Sequence, residues 1–190
     1  MFGAVAGPTL VTDDRRRLAE DDAAWHRTDD ARRAASREGI RMTQIVYSMR
    51  FSGQAVPAEG SSNVLKAATE APSCTITSLA GPDGLSSSIE PTAGGTATFE
   101  SEVMFTGDAA FQERGTITFG TDGHRLHFST VGQGYLGASA DPALKHGTVM
   151  WQVDGGEGQF EGATGLITSN FTVGEAGEVV DHHFGLLHLP

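Results

Sequence analysis

From Ile40 to the C-terminus the apolar residues fall at every second position, and a turn signal interrupts nearly every run. Ile45, Tyr47, Met49 and Phe51 alternate with Gln44, Val46, Ser48 and Arg50. A period of two belongs to a strand with one buried face. The same pattern predicts further strands over 73–79, 95–106, 112–120, 124–136, 147–153, 164–173 and 178–189. The separators include Gly81-Pro82-Asp83-Gly84, Gly120-Thr121-Asp122-Gly123, Asp141-Pro142 and Asp154-Gly155-Gly156, all with the chemistry of tight turns. The longest break, Ala55 to Ala71, is expected as a loop with at most one helical turn. Eight strands joined by hairpins predict an all-β fold, an eight-stranded antiparallel β-barrel. Such closure removes exposed edges and leaves room inside for side chains or one small ligand.

Composition agrees with many short strands: glycine is abundant, at 25 residues. The net charge is −11, and it is carried by the strand region. Residues 1–41 hold eight arginines and eight acids, whereas residues 42–190 hold five basic residues against sixteen acids. A body of that sign repels phosphate backbones and anionic lipid, so neither nucleic acid nor a membrane surface is an expected partner. One cysteine, Cys74, cannot form a disulfide within the chain, and a reducing, cytoplasmic setting follows as the expectation. Met1 to Leu10 lacks a basic start, so no signal peptide is expected. No apolar run approaches the roughly 20 residues of a membrane helix.

Residues 1–41 form a separate segment ahead of a domain at 42–190. Residues 13–38 contain no glycine or proline and are rich in Ala, Arg, Asp and Glu, a helix-favouring composition. Leu18 and Trp25 fall on one side of such a helix. Three readings stand open: a charged tail, an extension ahead of a start at Met42, or a helical lid using Leu18, Asp21, Asp22 and Trp25.

Few motifs carry chemistry. Gly132-Gln133-Gly134-Tyr135-Leu136-Gly137 matches G-x-G-x-x-G, but the residues after it leave no room for the helix that dinucleotide binding needs. The glycines instead predict a kink that swings Gln133 and Tyr135 into a barrel mouth. The histidines show no chelating spacing. His182 and His188 share a face but stand roughly 20 Å apart in an extended chain, and His183 faces the other way; one of the first two is expected to reach the cavity. No metal and no cofactor is expected. Alternation turns Tyr47, Met49, Phe51, Phe105, Trp151 and Phe171 inward, an aromatic set for a chain with 7% aromatics, and these are the candidate pocket walls. Glu113 shares the inward face of Ile117 and Phe119. It stands either at the rim or as a positioned polar group inside, and with Gln133 and Tyr135 it completes the catalytic candidates.

Two stretches resemble a known family: GTITFGTDGHRLHFSTVGQGYL (115–136), and MWQVDGGEGQFEGATGLITSNFTV with the strand that follows (150–190). They are similar to the closing strands of the allene oxide cyclase-like β-barrel superfamily. An arm of mixed charge ahead of such a barrel resembles the actinobacterial spirotetronate cyclases. The resemblance implies a cofactor-independent [4+2] cyclase (a Diels-Alderase) of polyketide antibiotic biosynthesis, acting on a hydrophobic small molecule, with a homodimer expected. It puts Trp151 at the position of a pocket tryptophan. A cycloaddition needs no nucleophile or metal, only reacting ends held together in a dry cavity with a hydrogen bond to a carbonyl. The same pocket in a lipocalin-like carrier would hold its ligand without catalysis, and a dirigent-like barrel would guide another ring closure.

Overall fold

The computed structural model describes residues 42–190. The helical arm expected over 13–38, with Leu18, Asp21, Asp22 and Trp25, lies outside the described residues. Within them nine strands form: β1 (Thr43–Pro57), β2 (Val64–Gly81), β3 (Gly84–Phe105), β4 (Ala110–Phe119), β5 (His124–Thr130), β6 (Gly134–Ala138), β7 (Leu144–Glu157), β8 (Thr164–Gly174) and β9 (Glu178–Leu189). A 3-10 turn at Gly158–Phe160 is the only helical element among them. All pairings are antiparallel; apart from β4–β6 and β5–β7 they follow chain order, and β9 returns to pair with β1 from Thr43↔Leu189 to Gln54↔Glu178. The hydrogen bonding therefore runs round a closed ring.

Nine strands occupy eight places in that ring. The predicted strand 124–136 breaks at Val131-Gly132-Gln133, where Gly132 takes a φ of +72°. On either side of the break, β5 and β6 both pair with β4 and with β7. No helix follows the G-x-G-x-x-G glycines; β6 and a turn do.

The expected loop at 55–71 is mostly strand. Only residues 58–63 turn, and from Val64 the chain pairs with β1 and β3. Ala67, Thr69 and Ala71 are its buried positions, and small side chains make that alternation faint. The predicted strand 73–79 exists, but outside the ring. Beyond Pro72, β2 pairs only with β3, and the two run as a two-stranded ribbon to Gly81↔Gly84.

The glycine content has a packing cause. Tyr47 pairs with Gly185, Phe111 with Gly134, Phe128 with Gly115 and Phe171 with Gly147, each across neighbouring strands. In each case a Cβ on the glycine would run into the ring of its partner. The ring lies flat on the bare backbone opposite, so an interior of large aromatics fits inside a small circumference.

The interior is layered. One end is plugged: Phe160 of the 3-10 turn packs on Phe119 at 5.2 Å between ring centres, and Phe119 meets Tyr47 edge-on at 5.7 Å. Gly158, with a φ of +64°, lets the chain fold back there and present Phe160. A middle layer stacks Phe51, Phe99, Phe128, Trp151 and His183, with ring centres 4.3–5.6 Å apart in the closest pairs. Above this layer the interior is open.

Candidate functional site

The space above the aromatic layer is a chamber of about 70 Å³, floored in part by Phe99 and walled by Phe105, Phe111, Val103 and Phe171. Three polar residues, Thr69, Glu113 and Asp181, interrupt an otherwise apolar lining. Ala55, Leu65, Phe105, Leu136 and Val173 also border a wider vestibule of about 440 Å³, which continues outward past Leu144, Lys145 and Glu175.

Glu113 reaches the chamber because β4 alternates inward through Phe111, Glu113 and Ile117, which are all buried. Its backbone lies where β5 gives way to β6, and Thr130 repairs the interrupted ladder. The Glu113 amide donates to Thr130 Oγ1 at 2.7 Å, and that hydroxyl donates back to the Glu113 carbonyl at 2.9 Å. The side chain is gripped from two strands. Ser101 Oγ donates to Oε1 at 2.5 Å and Trp151 Nε1 donates to Oε2 at 3.2 Å. Burial nevertheless dominates: it pushes the carboxyl up to about 8, the nearby Asp181 charge adds to the rise, and the bonds from Ser101 and Trp151 offset only part of it. At neutral pH Glu113 is therefore an uncharged acid.

Asp181 has a different setting. Ser169 Oγ straddles its oxygens at 2.7 and 2.9 Å, and His183 Nε2 bonds Oδ2 at 2.9 Å. A carboxylate only accepts, so the imidazole carries its proton on Nε2, and Nδ1 is left buried without a partner. Ser169, Asp181 and His183 are the residue types of a hydrolytic triad in the wrong order. The serine proton faces the aspartate and the histidine never meets the serine, so no base stands ready to activate a nucleophile. The trio is a hydrogen-bonded polar patch beside the chamber.

The structure brings together only some of the residues singled out from sequence. Phe105, Phe171 and Glu113 line the chamber. Trp151 is fully buried beneath it and meets Glu113 through its indole N–H. Tyr47 and Phe51 lie deeper, in the plug and the middle layer, and Met49 packs against the core without bordering the cavity. Gln133 and Tyr135 are not in the mouth. Gly134 and Leu136 take the inward positions of β6, Gln133 bonds Thr106 at 3.2 Å on an exposed face, and Tyr135 is 51% exposed. The histidine expectation is also reversed, because β9 turns Val179, Asp181, His183, Leu187 and Leu189 inward and leaves His182 exposed. Sequence reasoning missed Thr69, Ser101, Ser169 and Asp181. A polar residue among buried neighbours on a period-two face was their one signal, and it was used only for Glu113.

Among the described residues no three His, Cys, Asp or Glu side chains converge as a metal-ligand set, and no helix is long and apolar enough to cross a membrane. No family model matches the chain, and neither a curated protein nor a solved structure matches it.

Proposed function

We propose that the protein is a cofactor-independent cyclase whose ring-closed sheet is a barrel of the allene oxide cyclase-like kind, with β5 and β6 together forming one stave. The reading is supported by the site's polarity: a largely apolar chamber in which burial keeps one carboxylic acid neutral. A protein that only stores an apolar molecule gains nothing from burying Glu113. A protein that polarises a carbonyl does, because an uncharged acid in a dry site donates a hydrogen bond that strengthens as negative charge develops on the carbonyl oxygen. In an intramolecular [4+2] closure three π bonds become two carbon–carbon σ bonds and one new π bond, and nothing leaves. Glu113 would draw electron density from a dienophile carbonyl, and the vestibule would hold the remaining chain folded on itself. The spirotetronate class of substrate, a homodimer and a cytoplasmic setting come to this proposal from the resemblance.

Incubation with a linear polyene tetronate tests it. The expected product has unchanged mass and a new retention time, formed at a rate that collapses in Glu113→Ala. Absence of turnover over the background rate refutes the cyclase. A carrier barrel is the second reading, since the same chamber and vestibule would hold an apolar ligand without catalysis. Stoichiometric retention of the tetronate with no change in its retention time would establish that reading instead.

A further inference from the structure

The ring is closed by only part of β1. Its pairing with β2 runs from Pro57↔Leu65 to Ser52↔Glu70 and stops, whereas its pairing with β9 continues to Thr43↔Leu189. The stop has a cause in the sequence. The same register would set Arg50 opposite Pro72, which has no N–H to give. From there β2 shifts its register against β3 and leaves the ring as the ribbon. One edge of β1, from Thr43 to Phe51, is thereby left without a neighbouring strand among the described residues. The ladder fixes which groups lie on that edge. The Ala58 N–H bonds the Val64 carbonyl at 2.9 Å, and the Ala55 N–H bonds the Gly177 carbonyl at 2.8 Å. Bonded pairs recur at every second residue of an antiparallel ladder, so odd-numbered residues of β1 bond β9 and even-numbered ones bond β2. The N–H and C=O groups of Gln44, Val46, Ser48 and Arg50 therefore point at the uncovered edge. The side chains mark the same opening. Ile45 and Met49 point inward opposite Leu187 and His183, which are each 1% exposed, yet both stay only half-buried.

We propose that this edge takes the same edge of a second copy, β1 against β1 in antiparallel register, with the two-fold axis at Tyr47. An edge strand is a template for such an addition. The pairing sets Gln44 opposite Arg50 of the second copy, Ile45 opposite Met49 and Val46 opposite Ser48, each twice. The even-numbered residues then form the bonded pairs, so the N–H and C=O groups on the edge find partners. Charge and self-fit argue for a second copy. Thr43 to Phe51 contains no acid and one cation, Arg50, in a domain with sixteen acids against five basic residues. Two bodies of the same sign approach with least repulsion along such a stretch. No like charges meet across the axis, because Arg50 faces the Gln44 amide, whose oxygen accepts from a guanidinium. Ile45 and Met49 of one copy cover those of the other. The edge also lacks the devices that hold strand edges apart: Thr43 to Phe51 has no lysine, no proline and no bulge in its pairing with β9. An isologous contact of this kind closes at two copies.

The inference gives a surface to the homodimer of the proposed function, rests on no other part of that reading, and is tested apart from turnover. Sedimentation velocity of the full chain from about 1 to 200 μM reads association, and amide hydrogen exchange by NMR reads the edge. A dimer is expected, in which the amides of Gln44, Val46, Ser48 and Arg50 are protected. Val46→Pro deletes an N–H that β9 does not use. It should weaken the dimer at least about tenfold and leave the far-ultraviolet spectrum that of the wild type. Val46→Lys brings two ammonium groups together beside the axis and should weaken it as well; it leaves the backbone N–H in place, so the test survives any misfolding caused by the proline. Gln44→Glu should tighten the dimer and Gln44→Arg should loosen it, because each stands opposite Arg50 of the other copy. A monomer over the whole range overturns the proposal, as does a dimer that neither Val46→Pro nor Val46→Lys weakens. Protection of the four amides in a monomer assigns the edge to another segment of the chain and overturns it too. Loss of the dimer in Val46→Lys with turnover of the tetronate intact would support the edge and leave the cyclase standing. A dimer with a protected edge and no turnover would refute the cyclase and leave the edge as proposed.

Discussion

Replacing Glu113 by glutamine should stabilise the protein, and by an amount that depends on pH. The carboxyl rises from 4.5 to about 8 in the fold because it is buried. Below pH 4.5 the group is protonated in the folded and the unfolded chain alike, and the fold loses nothing. Between 4.5 and 8 the unfolded chain releases the proton while the folded one keeps it, so stability falls as pH rises; above 8 the loss is complete. At 1.36 kcal/mol per unit the whole window amounts to about 5 kcal/mol, with about 3 kcal/mol of it already lost at pH 7. That is a large part of the 5–15 kcal/mol typical of a domain. Glutamine has nearly the same shape and no proton to lose. Its amide oxygen can accept from Trp151 Nε1 while its NH2 donates to Ser101 Oγ, so both existing contacts survive. Urea melts of the two proteins at pH 4.5, 6, 7 and 8 measure the difference directly. It should be near zero at pH 4.5 and grow steadily, reaching about 3 kcal/mol at pH 7, or about 6–12 °C in melting temperature. A difference that stays constant from pH 4.5 to 8 would mean that Glu113 ionises as it does in water, and the neutral-acid argument would fail with it.

Other outcomes follow from single contacts. Ser101→Ala should raise the Glu113 pKa further, because the Ser101 bond lowers it; a carbon-13 titration of the Glu113 carboxyl in the variant reads the shift, and an unchanged midpoint refutes the assignment. Tyr47→Phe should stabilise by about 1–2 kcal/mol, since the phenol oxygen is buried with no partner among the described residues; a loss of stability in chemical denaturation would reveal a missed bond. Gly147→Ala should cost about 1–3 kcal/mol, because its Cβ runs into the Phe171 ring; wild-type stability in chemical denaturation would show that the ring is free to move. Deleting residues 1–38 tests the lid expected from the sequence: turnover should fall strongly with the melt nearly unchanged, and full turnover would dismiss the lid.

Much of the all-β architecture was legible because it depends on local signals. Period two marks Ile45 to Phe51 as a strand and turn chemistry marks Gly120-Thr121-Asp122-Gly123 as a turn, whatever the rest of the chain does, whereas the turn expected at Asp154-Gly155-Gly156 is strand, carried within β7 to Glu157 by an irregularity in its pairing with β5. Those signals blur where side chains are small: Leu65, Ala67, Thr69 and Ala71 alternate correctly, yet alanine and threonine announce a buried strand face too weakly to be told from a loop. They also say nothing of pairing, so the segment 73–79 reads as a strand without revealing that only the other half of its own hairpin accompanies it. The site was harder for a related reason. An inward Asp181 or His183 breaks the apolar pattern, and a reader who trusts the pattern turns β9 over and sends His182 inside. What makes Asp181 tolerable inside is Ser169 across the sheet, and what makes Glu113 tolerable is Ser101, Trp151 and Thr130, between 12 and 38 positions away in sequence. Those partners come together only once the ring closes. The aromatic–glycine pairs carry the same lesson in a more readable form. Four inward rings, Tyr47, Phe111, Phe128 and Phe171, each oppose a glycine on a neighbouring strand, so an excess of glycine beside inward aromatics, in a chain of this period, points to rings laid flat on backbone inside a narrow ring-closed sheet.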